Sequence, residues 1–139
     1  MNGRIAHYTF RVRFSETDAA GIVFYPNFFM YFDLAMHELL RGAPVDLAGL
    51  MRTSGLGFPI RESGGSFFAP LFAEDEITIE SRITEVRTRA LRVEHVIRRG
   101  ATEIARGFEV RVHARRRPGT NSLEMHQIAD ELRTWLTGE

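Results

Sequence analysis

Pro26-Asn27-Phe28-Phe29-Met30-Tyr31-Phe32-Asp33-Leu34-Ala35-Met36-His37-Glu38-Leu39-Leu40-Arg41-Gly42 is the stretch that decides the fold. Pro26 suits the first turn of a helix, where its missing N–H costs nothing and its fixed φ is already helical. Phe28, Phe32, Ala35, Met36 and Leu39 recur at helical spacing, and Gly42 supplies a stop. The spacing predicts a helix over 26–41. It is apolar on most of its circumference, with Asp33, His37 and Glu38 as exceptions. Such a helix belongs in the middle of a protein.

Its flanks say what covers it. Residues 7–14 alternate, with Tyr8, Phe10, Val12 and Phe14 on one side, as in a half-buried strand. Pro44 opens a shorter helix with Leu47, Leu50 and Met51, ending near Gly55. The period then changes to two. Residues 58–72 read as a strand interrupted at Gly64-Gly65, where a bulge is expected. Ile77, Ile79 and Ile83 alternate with polar residues, as do Leu91, Val93, His95 and Ile97. Ile104, Phe108, Val110 and Val112 continue this in a run that reaches Arg116. Short turns between the runs make an antiparallel meander. Pro118-Gly119 ends the sheet. Asn121, with Glu124 three residues on, matches a capping box for a final amphipathic helix of Met125, Ile128, Leu132, Trp135 and Leu136. The fold class is therefore α+β: a curved antiparallel sheet wrapped around one long central helix, with a C-terminal helix.

Composition narrows the function. The 139 residues, 44% hydrophobic and 26% charged, suit one globular domain over 1–139 and exclude a disordered chain. The longest apolar runs fall far short of the roughly 18 residues of a membrane span. Met1-Asn2-Gly3-Arg4-Ile5-Ala6-His7 lacks the apolar core of a signal peptide. With no cysteine, disulfide scaffolds, thiol nucleophiles and thiolate metal sites are excluded, and a cytoplasmic location is expected. All 18 basic residues are arginine. Net charge is zero, yet residues 82–117 hold eleven arginines against four acids, +7 in all. That segment is a candidate face for an anionic ligand. Overall neutrality, with no nucleic-acid motif, argues against nucleic acid as a partner.

Three catalytic signatures fail. Gly55-Leu56-Gly57 precedes a strand instead of following one, so it is no nucleotide fingerprint. Gly64-Gly65-Ser66 lacks the second glycine of a nucleophile elbow. The five histidines share no ligand spacing, so no metal site is expected. The loop Asp18-Ala19-Ala20-Gly21-Ile22-Val23-Phe24-Tyr25-Pro26-Asn27 differs. It puts a carboxylate, a flexible glycine and an apolar run just before a helix start. The first N–H groups of a helix lack internal partners and lie at its positive end, so they suit an oxyanion. Pro26 leaves the Tyr25 N–H just outside the helix. A carboxylate beside such a donor can act as nucleophile or general base. The plainer alternative is that Asp18 only caps a turn beside Gly21.

This loop resembles that of the hotdog-fold acyl-CoA thioesterases, in the 4-hydroxybenzoyl-CoA thioesterase branch. The resemblance continues through Phe58-Pro59-Ile60, Ser66-Phe67 and Glu74-Asp75-Glu76-Ile77-Thr78-Ile79-Glu80, covering about residues 8–114. Thioesterases of short-chain and lipid-linked substrates usually carry a histidine after the tyrosine. Pro26-Asn27 here fits the aromatic-acyl branch. The resemblance implies hydrolysis of an acyl-CoA, with Asp18 catalytic and the Tyr25 backbone N–H as oxyanion donor. It implies substrate contacts from Gly21, Phe24, Phe28, Asp33 and Phe58. It also implies coenzyme A phosphates held at Arg87-Thr88-Arg89, although Thr88 stands where a basic residue is common. Coenzyme A is part of the substrate, so no separate cofactor is implied. A homodimer or dimer of dimers is implied, and the long run from Ile104 to Arg116 reads as an open edge inviting it. A neighbouring clade uses a helix glutamate, for which Glu38 is the candidate here. The alternatives are a short- or medium-chain acyl-CoA or acyl carrier protein thioesterase, and a non-catalytic acyl-CoA-binding module. A hotdog dehydratase would need a paired histidine and carboxylate, which the loop lacks.

Overall fold

The long helix begins where Pro26 predicts. In the computed structural model, which describes residues 3–139, α1 spans Pro26–Leu40 with Tyr25 at its N-cap. The first two residues of the N-terminal reading lie outside the described residues. Helix α2 (Leu47–Ser54) is capped by the Asp46 carboxylate and ends at Gly55, whose φ of 72° needs glycine. Strands β1 (Ile5–Arg11), β2 (Ile60–Phe67), β3 (Glu76–Val86), β4 (Ala90–Arg99) and β5 (Thr102–Val112) form one antiparallel sheet. Their order is β1-β3-β4-β5-β2. A short ribbon of β6 (Ala114–Arg116) and β7 (Leu123–Met125) follows, and α3 (Asp130–Leu136) ends the chain. Among the described residues, no helix is long and apolar enough to cross a membrane.

The sheet covers α1. Phe28, Tyr31 and Phe32 pack with Val12, Val23, Ile77 and Ile79 in one cluster. Met36, Leu39 and Leu40 pack with Ile83, Leu91, Val93 and, from α3, Leu132 and Leu136 in the next. Each fully buried side chain of this size contributes about 1.5–3 kcal/mol. Cross-strand pairs point to the same side, so the register identifies what faces the helix. Opposite Leu91, Val93 and His95 of β4 stand Arg111, Glu109 and Gly107 of β5. The face of β5 toward α1 is thus polar and small, and Phe108, Val110 and Val112 lie on its other side.

Five expectations change. Gly64-Gly65 is not a bulge. Their pairing with Phe108 and Gly107 is continuous, and the register shifts between Ile60 and Glu62. The glycines of the 65–107 pair instead admit the Phe32 ring. A Cβ on Gly107 would overlap that ring, and one on Gly65 would come 3.5 Å from it. The strand expected over 58–72 is only β2, and Phe72 keeps a single bridge to Ile22. The run to Arg116 is not one strand, nor an open edge. It breaks at His113, and β5 lies between β4 and β2, which leaves β1 and β2 as the edges. Asn121 and Glu124 do not cap a helix. Chain reversal after Pro118, with Gly119 at φ 74°, lets Leu123–Met125 pair with Ala114–Arg116. Glu124 binds Arg115 and His126. At the other end, Phe14 leaves the β1 pattern for a short 3-10 turn (Phe14–Glu16) and is 81% exposed.

His113 is buried, stacks on Phe58 at 4.3 Å between centroids, and its Nδ1–H donates to the Gly57 carbonyl at 3.0 Å. Burial pushes it below the ordinary imidazole value of 6.5. The unfolded chain therefore takes up this proton more readily. Stability from neutral His113 is complete above that value and is lost as pH falls through the lower folded one. Thermal melts run from pH 8 downward should show Tm declining below about pH 6.5, and less steeply in His113→Gln.

Candidate active site

The Asp18 loop is a tight hairpin closed by the Thr17–Val23 bridge. The Asp18 N–H donates to the Ile22 carbonyl at 2.8 Å, and the Gly21 N–H to the Asp18 carbonyl at 3.0 Å. Gly21 sits at φ 83°, which a residue with a Cβ rarely adopts. The Asp18 Oδ1 accepts from the Ala20 N–H at 2.8 Å and from the Ile22 N–H at 3.4 Å. Its Oδ2 has no partner among the described residues, and the side chain is exposed. Asp18 therefore does cap its own turn, through Oδ1 alone.

The hairpin is fastened to the helix start. The Val23 N–H donates to Leu71 and the Phe24 N–H to Glu16. The Asn27 side-chain amide also donates to the Glu16 carbonyl, at 2.8 Å. The Tyr31 hydroxyl donates to the Glu16 carboxylate at 3.1 Å. Burial, reinforced by Glu16, pushes the Tyr31 hydroxyl well above its usual value, so it stays a donor. Pro26 has no N–H. The Asn27 and Phe28 N–H groups donate to the Phe24 and Tyr25 carbonyls. The Tyr25 N–H, by contrast, has no acceptor among the described residues, at the positive end of a 15-residue helix. Tyr25 and Phe24 are exposed by 66% and 49%.

The other residues expected at the site are spread along the molecule. Phe28 is buried against Tyr31 and Phe67 beneath the loop. Asp33 is on α1, its Oδ1 paired with Arg111 Nη2 at 2.7 Å. Phe58 lies in the cluster around the second half of α1, held there by the adjoining Gly57–Ala114 bridge. Glu38 pairs with Arg41 at 3.0 Å near the helix C-terminus. Arg87 and Arg89 are exposed in the β3–β4 turn, with Arg87 forked onto Glu85 at 2.8 and 3.1 Å. The Glu85 hydrogen bond raises Arg87 and lowers Glu85 from their ordinary values.

The structure brings Asp18, Gly21, Phe24 and Tyr25 together but not the arginine turn. The hairpin follows β1, whose Arg11 pairs with Glu76 at the start of β3. The turn begins after Val86 at the other end of that strand. Eleven residues of strand at about 3.3 Å each separate the two by roughly 30 Å or more. Sequence reasoning missed Arg133, whose guanidinium donates to the Val86 and Thr88 carbonyls and braces the turn from α3. It also missed a buried polar row, Ser81, His95, Glu109 and Arg111. Inward charge in a strand looks like an ordinary solvated face until the register is known.

Residues 12–136 match the family model described as the Thioesterase-like superfamily. The chain belongs to that superfamily. Among solved structures, a gentisyl-coenzyme A thioesterase is 36% identical, with a TM-score of 0.83 over 92% of this chain and 99% of that one. The 4-hydroxybenzoyl-CoA thioesterase of Pseudomonas sp. strain CBS-3 is 24% identical at a TM-score of 0.84, covering 95% and 99%. It shows the shared hotdog fold. A 1,4-dihydroxy-2-naphthoyl-CoA hydrolase of Crocosphaera subtropica is 29% identical over 90 residues, 65% of this chain and 66% of that protein.

Proposed function

We propose that this thioesterase-superfamily chain hydrolyses an acyl-CoA, with an aromatic, benzoyl-type acyl group, to a carboxylate and free coenzyme A. The observation that carries this is the free Asp18 Oδ2 and the free Tyr25 N–H within one short, braced loop. The Tyr25 N–H binds the carbonyl oxygen as it gains negative charge, aided by the helix dipole. Asp18 attacks the carbonyl carbon or takes a proton from the attacking water. In both routes the thiolate leaves and is protonated, and water supplies the new carboxylate oxygen. The step needs no resident cofactor. The printed activities of the gentisyl-CoA and naphthoyl-CoA relatives support an aromatic substrate.

Asp33 stands seven residues beyond Pro26 on the same helix face, about 10 Å along the axis. A para-hydroxybenzoyl group extends about 6 Å from its carbonyl carbon, and a hydrogen bond adds about 3 Å. On this reading Asp33 forms the far wall of an acyl site of benzoyl length. A cleft of about 730 Å³ begins at His37, one turn further on, and is lined by Leu40, Val45, Leu47, Met51 and Phe58. That cleft favours the second reading, a longer aliphatic acyl-CoA or acyl carrier protein thioester.

The distance between the Asp18 hairpin and the arginine turn supports a homodimer or dimer of dimers, in which one copy's turn holds the coenzyme A phosphates at another's hairpin. The open edge of β2, exposed at seven of eight residues, offers the contact. The cysteine-free composition suits work in a reducing cytosol.

Thiol release from 4-hydroxybenzoyl-, benzoyl- and hexanoyl-CoA tests the reading. Fast release from the aromatic esters is expected. Release from hexanoyl-CoA alone would move the acyl group to aliphatic chains, and binding without any release would leave a binding module. Arg87→Ala with Arg89→Ala should raise KM for the CoA esters about tenfold at nearly constant kcat. The same pair should leave an acyl-pantetheine ester, which lacks the nucleotide, unaffected.

A further inference from the structure

We infer that Arg111 is a positioning residue for substrate selection: it holds Asp33 by one oxygen and leaves the other free to read a hydroxyl on the acyl ring. The inference rests on the placing of Asp33 at the pocket wall proposed above.

The Asp33 side chain is 47% exposed. Its Oδ1 accepts from Arg111 Nη2 at 2.7 Å. His37 Nδ1 lies 3.5 Å from the same oxygen and 2.8 Å from the Asp33 carbonyl. Among the described residues, Oδ2 has no partner. A salt bridge at a helix surface is ordinarily mobile and worth little. This one has a buried anchor, because the Arg111 side chain is only 4% exposed. Nε and Nη2 of Arg111 donate to the two Glu109 oxygens at 3.3 and 2.9 Å, and Nη1 to the Phe58 carbonyl at 2.9 Å.

Glu109 is fixed in turn. His95 Nε2 lies 3.0 Å from it, and His95 Nδ1 lies 2.7 Å from the Ser81 hydroxyl. Burial pushes Glu109 up, but its bonds to His95 and Arg111 outweigh this and hold it below the usual value. An ionised Glu109 only accepts. His95 therefore donates to it through Nε2–H. His95 also stacks on Phe32, with 7° between the rings. The row runs across the inner face of the sheet and surfaces only at Asp33. Burying charge is costly, and a row that served packing alone would have no reason to end at a half-exposed carboxylate. A carboxylate held in advance loses little freedom when it meets a hydroxyl, so the hydroxylated ring gains more than the bare one.

The test is the ratio of kcat/KM for 4-hydroxybenzoyl-CoA to that for benzoyl-CoA. Both values come from one enzyme sample, so partial unfolding cancels. Arg111→Lys keeps the charge but cannot fork onto Glu109 and Asp33 together. It should lower the ratio about tenfold, as should Asp33→Asn, and the double variant should lower it no further. If Asp33→Asn lowers the ratio and Arg111→Lys does not, the positioning role is overturned. If neither does, the placing of Asp33 at the pocket wall falls, and the proposal with it. A wild-type enzyme that releases thiol from neither ester would overturn the aromatic-acyl reading on which this inference rests.

Discussion

Asp18→Asn should lower kcat about 1,000-fold while leaving Tm and ester binding nearly unchanged. The substitution keeps shape and removes charge. The asparagine carbonyl can still accept the Ala20 N–H that Oδ1 now accepts, so the hairpin closed by Gly21 persists. The side chain is exposed, and exposed changes of this kind stay within about 0.5 kcal/mol of stability. What disappears is the unpartnered anionic oxygen of the loop that also carries the free Tyr25 N–H. Glu38→Gln is the control from the rival assignment. Glu38 is bound to Arg41 near the far end of α1, so its turnover should stay near wild type. Single-turnover thiol release and calorimetric binding of a CoA ester separate the two quantities. The reverse pattern would overturn the Asp18 assignment.

Gly107→Ala should be the costliest small change to the fold, at about 2–3 kcal/mol, or roughly 10 °C in Tm. The new Cβ would overlap the Phe32 ring, lying 2.5 Å from Cζ and 2.8 Å from Cδ2. Phe32 has no room to yield. It is fully buried, packed edge-on against Phe29 and stacked on His95. Replacing glycine also stiffens the unfolded chain, which favours folding by about 0.4–1 kcal/mol, too little to offset the overlap. Phe32→Leu in the same chain should recover part of the loss, because the two residues share one contact. Denaturant melts of the four chains measure this coupling, and additive losses would show that the ring is not the cause.

Most of the architecture was legible because its signals are local. Pro26, the spacing of Phe28, Phe32 and Leu39, and the turn after Leu40 set α1 without reference to the rest of the chain. The alternation of Ile77, Ile79 and Ile83, and of Leu91, Val93 and Ile97, placed β3 and β4 and their inward faces. The Asp18–Asn27 loop was legible for the same reason. Its carboxylate, glycine and proline act within ten residues of one another.

Local pattern misled where a partner elsewhere in the chain outweighed it. On β5 the apolar residues suggested an inward face of Phe108, Val110 and Val112, whereas the pairing with β4 puts Gly107, Glu109 and Arg111 there. Arg92 over the Phe108 ring, at 4.2 Å, shows where that aromatic went instead. The Asn121–Glu124 spacing matched a helix cap, but β6 offered Leu123–Met125 backbone hydrogen bonds, and the two segments pair as a ribbon.

The sequence by itself determined a buried central helix, a mostly antiparallel set of strands and one chemically distinctive loop, since each follows from sterics and periodicity over a few residues. Only the tertiary structure decided which face of β5 meets the helix, and that the arginine turn stands a strand's length from Asp18. It alone joined Asp33 to Arg111 across 78 residues of chain. Those outcomes depend on register and strand order, and a one-residue change of register sends every side chain to the opposite face.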